Sequence, residues 1–354
     1  MKALRVVLLA LCIASAVCAD EMRDIFKAFE AGAYEDVIDR TSVLLETKAK
    51  PDPACLYLRG MSAYHIAWFG QADADLSQLL DYQQPGKWPA AAKVLDRIAR
   101  SREVAPENIQ EIGTGGQVQF RVYYDTDDKW TRALMAALPG VYRQVSAFYG
   151  VTMGETAVFV FADKERHAAF VQALTGEPPS SWAWASGGNG MLIFCPYAPG
   201  NNYRESPDQL PETTAHEFSH CLTHRVLGTA AMPLWLDEGL AMYCASLVRP
   251  AKTDENDINL TRMWTADQIL PLRTVTNRDT FYDERNAINA YIQAFAMTRY
   301  LIATMGHDDL MVLLNSLKHE GNMEAAMGQM WNGGLQGFYE DWLAATERRV
   351  EKFR

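Results

Sequence analysis

His216 and His220, with Glu217 between them, lie in a stretch opened by Pro211 and Glu212, and they constrain the surrounding chain more than any other feature. Proline and an acidic residue at the start of such a stretch mark a helix N-terminus. Four residues advance a helix by slightly more than one turn, so both imidazoles leave from one face and can meet one metal ion. An ion of zinc type takes nitrogen or oxygen donors in a tetrahedron and, in a reactive site, keeps one position for water, which leaves two histidines one ligand short. Seventeen residues separate His220 from Glu238, and they contain a helix end at Leu227-Gly228-Thr229, then Met232-Pro233, then a new helix from about Leu234. A second helix that returns antiparallel beside the first brings Glu238 to the histidines. Glu217 lies beside that face, where it can hydrogen-bond a water on the ion without being a ligand.

The two motifs, His216-Glu-Phe-Ser-His220 and Trp235-Leu-Asp-Glu238-Gly-Leu-Ala, resemble those of the gluzincin metallopeptidases. The resemblance is to the group with H-E-x-x-H followed by W-L-x-E-G-x-A, seen in aminopeptidase N-like enzymes and the peptidase MA-like domains of bacterial exported proteins. It covers Glu212 to Cys244 well and, more loosely, Gln117 to the C-terminus. It implies one zinc ion per chain held by His216, His220 and Glu238, with Glu217 as general base and a peptide or protein as substrate. A metzincin would carry Gly at 223 and His or Asp at 226, where Thr223 and Val226 stand. A thermolysin-like chain would place Asp four residues after the third ligand, where Met242 stands, so the group that orients the histidines stays open.

The same resemblance implies an oxyanion donor on a later helix, Tyr291 in Ala290-Tyr-Ile-Gln-Ala. On the residues alone, Tyr291, Phe295 and Ile302 share a helical stripe and serve equally well as core. Met191 to Cys195 resembles the family's edge strand, to which an extended peptide adds its backbone, with Trp182, Trp184 and the neighbouring glycines as a lip over it. His224 is turned away from the His216 direction and reads as a supporting or surface residue, and Cys221 points away from the metal face. Cys221 and Cys244, one on each site helix, are candidates for a disulfide.

Upstream of the site the texture is that of a small sheet with interleaved helices. Val118 to Tyr124 alternates as a half-buried strand, a helix runs from Asp128 to about Tyr149, Ala157 to Phe161 is a buried strand, and Asp163 caps a helix to about Leu174. Gly176 to Gly190 reads as a loop, Met191 to Cys195 as a strand, and the chain beyond Pro211 as almost wholly helical. The fold class expected is therefore α+β: a zincin-like metallopeptidase domain, with a small mixed sheet and a helical half, preceded by a short α-helical repeat-like domain.

That leading domain runs from residue 20 to 105, with helix following helix and breaks at Pro51/Pro53 and Pro85 to Pro89. Leu56 to Tyr64 resembles the first helix of a tetratricopeptide repeat, and a weak echo at an offset of thirty-five pairs Tyr34 with Phe69. Such a region either docks a protein partner or caps its neighbour. The polar, glycine-rich Ala105 to Gly116 reads as a linker, which assigns 106–354 to the peptidase-like domain. Residues 1–19 have the plan of a secretory signal: Lys2 and Arg5, an apolar run from Val6 to Cys18, and Val17 and Ala19 at the cleavage positions. The run is too short to span a bilayer, so the expectation is export to the periplasm or outside the cell, with no stable membrane insertion after cleavage. Cleavage would leave Cys55, Cys195, Cys221 and Cys244 in an oxidising compartment.

With 33 Lys and Arg against 44 Asp and Glu, the net charge of -11 argues against nucleic acid as a partner. The other histidines, His65, His167, His307 and His319, have no partner spacing and read as structural. Two further function classes fit the sequence: an inactive, peptidase-like scaffold that binds peptides, and a metal protein that hydrolyses another bond. The intact Glu217 weighs against the scaffold, since a binding module gains nothing from a general base.

Overall fold

The computed structural model describes residues 16–47, 50–82, 87–179, 185–188, 190–197, 206–228 and 230–351, and describes no side chains for 16–19. The chain divides into two compact units, Met1–Arg132 with Met153–Glu205, and Ala133–Thr152 with Ser206–Arg354. The leading helices and the sheet share the first unit. Most of the expected signal segment, and the expected lip residues Trp182 and Trp184, lie outside the described residues.

The first unit opens with helices α1 (Ala16–Glu30), α2 (Tyr34–Thr47), α3 (Pro53–His65), α4 (Phe69–Tyr82) and α5 (Pro89–Val104), each packed on the next in sequence. Their apolar stripes meet in a core that includes Ile25, Val37, Leu56, Leu76, Leu79 and Ile98. Asp52 caps α3 by accepting from the Ala54 amide at 2.9 Å. Gly60 lets α3 approach α4, because a Cβ there would stand 2.7 Å from the Leu76 side chain. Arg59 on α3 crosses to Asp75 on α4 with two hydrogen bonds of 2.8 and 2.7 Å, and Asp75 is buried.

The unit continues as a five-stranded mixed sheet in the order β1-β2-β3-β5-β4. Strands β1 (Asn108–Thr114) and β2 (Gln117–Tyr124) form an antiparallel hairpin. β2, β3 (Thr156–Val160) and β5 (Met191–Phe194) run parallel, and β4 (Ala185–Gly188) pairs antiparallel with β5. Helix α7 (Lys164–Thr175) joins β3 to the last hairpin and packs Phe170 on Phe159 and Phe161. Asp163 caps it by accepting from the Arg166 amide at 2.7 Å.

Two strands depart from the sequence reading. Ala105 to Gly116, expected to be a linker, is largely strand β1 and its turn. Gly115 and Gly116 both take positive φ, the conformation of a two-residue hairpin turn. β1 is exposed along almost its whole length, so its polar composition hides the pairing. The expected edge strand, Met191 to Cys195, is not at the edge either: it is interior, hydrogen-bonded by β3 on one side and β4 on the other. The edge belongs to β4, whose Ala-Ser-Gly-Gly sequence lacks the branched and aromatic residues that mark strands.

The second unit contains only helices as regular elements among its described residues. It takes most of α6 (Lys129–Tyr149), then α8 (Leu210–Leu227), α9 (Leu234–Val248), α10 (Ala251–Thr265), the short α11 (Leu272–Thr276) and α12 (Arg278–Phe281), α13 (Ala287–Met305), α14 (His307–Glu320), α15 (Met323–Met330) and α16 (Gly334–Glu351). α9 is its centre, packed against α8 on one side and α13 on the other. A helix covered on several sides must be apolar nearly all round, and Trp235, Leu236, Leu240, Ala241 and Cys244 are all buried. Each side chain the size of Leu240 contributes roughly 1.5–3 kcal/mol by leaving water. At Gly239 the backbones of α9 and α13 come so close that a Cβ would lie 2.5 Å from the Ala294 carbonyl oxygen and collide with the Thr298 hydroxyl.

Candidate metal centre

Helix α8 is preceded by one turn of 3-10 helix, Pro207–Gln209, closed by a capping box between Ser206 and Gln209. It stops at Gly228, whose amide bonds the His224 carbonyl at 2.8 Å with φ of 63°. One side of α8, including Ala215, Phe218, Cys221 and Leu222, is buried in the unit core, and Tyr142 stacks near Phe218. His216 and Glu217 are half-buried. The α9 ladder starts from the Pro233 carbonyl, which accepts from the Leu236 and Asp237 amides, both at 3.0 Å. Asp237 thus sits in the first turn, where the helix dipole favours negative charge, and Glu238 directly follows it.

The two helices bring three donor atoms together. His216 Nε2 stands 3.3 Å from His220 Nε2 and 3.3 Å from Glu238 Oε2, and His220 Nε2 is 3.6 Å from the same oxygen. These are the three residues whose ligand atoms cluster as a metal site would require. The spacing suits a tetrahedral ion: bonds of about 2.0–2.1 Å imply donor-to-donor edges of about 3.3–3.4 Å. The chemistry fits as well. Glu238 Oε2 is buried with no hydrogen-bond partner and only the two imidazoles beside it, and a buried carboxylate oxygen is costly unless a cation or donor meets it.

Asp237 supplies a group that orients His220. Its Oδ1 lies 3.1 Å from His220 Nδ1. An ionised carboxylate only accepts, so Nδ1 carries the hydrogen, which leaves Nε2 as the atom available to an ion. Burial pushes the His220 pKa down, but the charges of Asp237 and Glu238 outweigh it and hold it well above the ordinary imidazole range. For Glu238, burial pushes upward, and His220 with His216 overcomes it, keeping the carboxyl below the usual carboxylate range. The surroundings that stabilise positive charge on His220 Nε2 suit a metal cation in the same place.

Two tyrosines complete the site. Tyr291 on α13 stands with its ring 6.2 Å from that of His216. Burial first, then the charge of Glu238 and the neighbouring Tyr282 and Glu217, raise its pKa well above the ordinary phenol value, so it remains a protonated donor. Tyr282, which follows α12, donates to Glu238 Oε1 at 2.5 Å. Sequence reasoning missed Tyr282 and Asp237. A signal for Asp237 existed in its place beside Glu238 at a helix start, whereas Tyr282 sits in a polar turn without periodicity.

His224 lies outside the donor cluster. Burial lowers its pKa, with Asp237 opposing and His220 adding to the shift, which marks it as a neighbour of the supporting carboxylate. The disulfide considered for Cys221 and Cys244 is absent: both are buried and not disulfide-bonded, as are Cys55 and Cys195. The Cys244 thiol instead shares hydrogen bonds with Ser219 and Tyr149, and burial pushes its pKa up to about 12.

Set against known proteins, residues 209–347 match the family model of the Peptidase MA superfamily. That stretch begins one residue before α8 and ends within α16, and it contains every residue of the donor cluster. No curated protein matches the chain. The match supports a zincin-like, metallopeptidase-type domain over these residues, in a superfamily that is typically metal-dependent.

Proposed function

We propose that the protein is an exported zinc-dependent metallopeptidase of gluzincin type that hydrolyses peptide bonds. The observation that carries the reading is the convergence of His216 Nε2, His220 Nε2 and the unpartnered Glu238 Oε2 within 3.6 Å of one another. Two imidazoles and one carboxylate are a donor set that zinc favours in reactive sites. Bound there, zinc would acidify a coordinated water and polarise a substrate carbonyl. Glu217, next to His216 on α8, takes the proton from the attacking water and returns it to the leaving amine. Tyr291, protonated and close to both Glu217 and Glu238 in charge, donates to the carbonyl oxygen as negative charge develops on it. Asp237 holds His220 in the tautomer that ligates.

Export rests on the signal-like residues 1–19, and no helix among the described residues is long and apolar enough to cross a membrane. In this reading the helical region 20–105 recruits or screens a protein partner, and the product is a periplasmic or secreted enzyme. The test is metal content of protein purified without chelator, beside His220→Ala, followed by peptide-library cleavage with Glu217→Gln as control. Near-stoichiometric zinc that the histidine variant loses, with cleavage abolished by Glu217→Gln, is the expected result. Absence of zinc from the wild-type protein even after zinc is supplied would sink the reading.

A further inference from the structure

A carboxylate ligand has two oxygens, and here they have different neighbours. Glu238 Oε2 faces the Nε2 atoms of His216 and His220, at 3.3 and 3.6 Å. Glu238 Oε1 accepts the hydroxyl of Tyr282 at 2.5 Å. A phenol donating to an ionised oxygen forms one of the stronger hydrogen bonds available to a neutral group. It draws electron density from Oε1 and occupies the space a metal would need to engage that oxygen.

Tyr282 is itself held in place. Asn277 caps α12 by accepting from the Asp279 and Thr280 amides at 3.0 and 3.2 Å, and Asn286 Nδ2 closes the following turn on the Thr280 carbonyl at 3.0 Å. The Phe281 ring meets the Tyr282 ring edge-on at 5.2 Å, and the Arg278 guanidinium lies 5.1 Å from its centre. Tyr291 projects from the long helix α13 toward His216 and also has Glu238 among its hydrogen-bond partners. The two phenols stand side by side, their rings 6.4 Å apart, and come from separate elements.

We infer that Tyr282 is a positioning residue that fixes Glu238 as a ligand through one oxygen only, keeping the metal's coordination low and a position open for water or substrate. The inference rests on the metal reading above, and it leaves the oxyanion role to Tyr291. Removing the Tyr282 hydroxyl frees Oε1 to swing toward the ion or to wander from it, and either loosens the site.

The test compares wild type with Tyr282→Phe by zinc titration against a chromophoric chelator and by the visible spectrum of the cobalt-substituted protein. The expected result is about a 10–100-fold weaker zinc affinity, the size typical for loss of a hydrogen bond to a ligand. Cobalt bands should weaken as the site shifts from four-coordinate toward five-coordinate. The melting temperature of the metal-free protein should stay close to wild type, which a merely structural role would not allow. In a Glu238→Ala background the same substitution should change the remaining affinity no further, since its route to the metal is gone. Unchanged affinity and spectrum in Tyr282→Phe, or an undiminished effect without Glu238, would overturn the inference while leaving the metal centre standing. Failure of wild type to bind zinc would overturn both, and zinc binding without peptide cleavage would count against the peptidase reading alone.

Discussion

Asp237 and Glu238 are consecutive in the chain yet act on His220 from opposite ends of its ring: Asp237 Oδ1 lies 3.1 Å from Nδ1, and Glu238 Oε2 lies 3.6 Å from Nε2. Adjacent residues near the start of one helix thus supply both a candidate ligand and the group that orients another. Asp237→Ala should leave His220 free to rotate and to exchange tautomers, lowering metal affinity by about 10–100-fold. Asp237→Asn, which keeps an acceptor but loses the charge, should fall between. Chelator competition on the three proteins checks the order.

Tyr291→Phe tests the oxyanion role. Loss of a donor to a developing oxyanion costs on the order of a hundredfold to a thousandfold in kcat. KM should hardly move, because the hydroxyl acts on the transition state. Unchanged turnover would return Tyr291 to the core.

Gly239→Ala should destabilise the second unit. The added methyl meets the Ala294 carbonyl oxygen, which is backbone and cannot turn aside, as well as the Thr298 hydroxyl. Overpacking of this kind costs about 1–3 kcal/mol. Since Glu238 is the neighbouring residue, the shift should also weaken metal binding, and Thr298→Ala should restore only part of the loss. Thermal unfolding with and without metal would separate the two effects.

The first unit should lose stability as pH falls from about 6.5 to about 4. His167 is buried beside Phe161, both ring nitrogens lack hydrogen-bond partners among the described residues, and burial lowers its pKa from 6.5 to about 4. Across that window the unfolded chain takes up a proton that the folded chain refuses, so stability drops with falling pH, by about 3 kcal/mol in total. Below pH 4 both states are protonated and the contribution stops changing. His167→Leu should flatten this part of the profile, as read from urea unfolding at several pH values.

Cys55, Cys195, Cys221 and Cys244 are buried and form no disulfide. Burial raises Cys195 to about 11 and Cys244 to about 12, so little reactive thiolate forms near neutral pH. A thiol reagent should label the native protein slowly and all of them quickly after unfolding without reductant. Rapid labelling of Cys244 in the folded state would contradict its place beside Ser219 and Tyr149.

The parts legible in the sequence were those where spacing dictates geometry. The interval from His216 to His220 and the turn before Glu238 brought the candidate ligands onto facing helices, and Asp163 announced the start of α7. Hidden were features that depend on pairing rather than pattern. β1 is exposed and polar, and β4 is Ala-Ser-Gly-Gly, so neither alternates as a half-buried strand does. Tyr282 reaches Glu238 across forty-four positions from a turn with no period, and Asp237 reads as a helix-starting acid until its distance to His220 is known.

The placement of α9 also bears on how the protein would survive. Its Glu238 is a carboxylate in the middle of an apolar helix, with one oxygen unanswered. An ion that binds only the folded form adds RT ln(1 + [L]/Kd) to its stability, about 2.7 kcal/mol at a hundredfold excess over Kd. In a compartment rich in proteases, chains starved of the ion would open more often and be degraded first. Abundance of the protein would then track the supply of the ion, with the core of the second unit serving as the gauge.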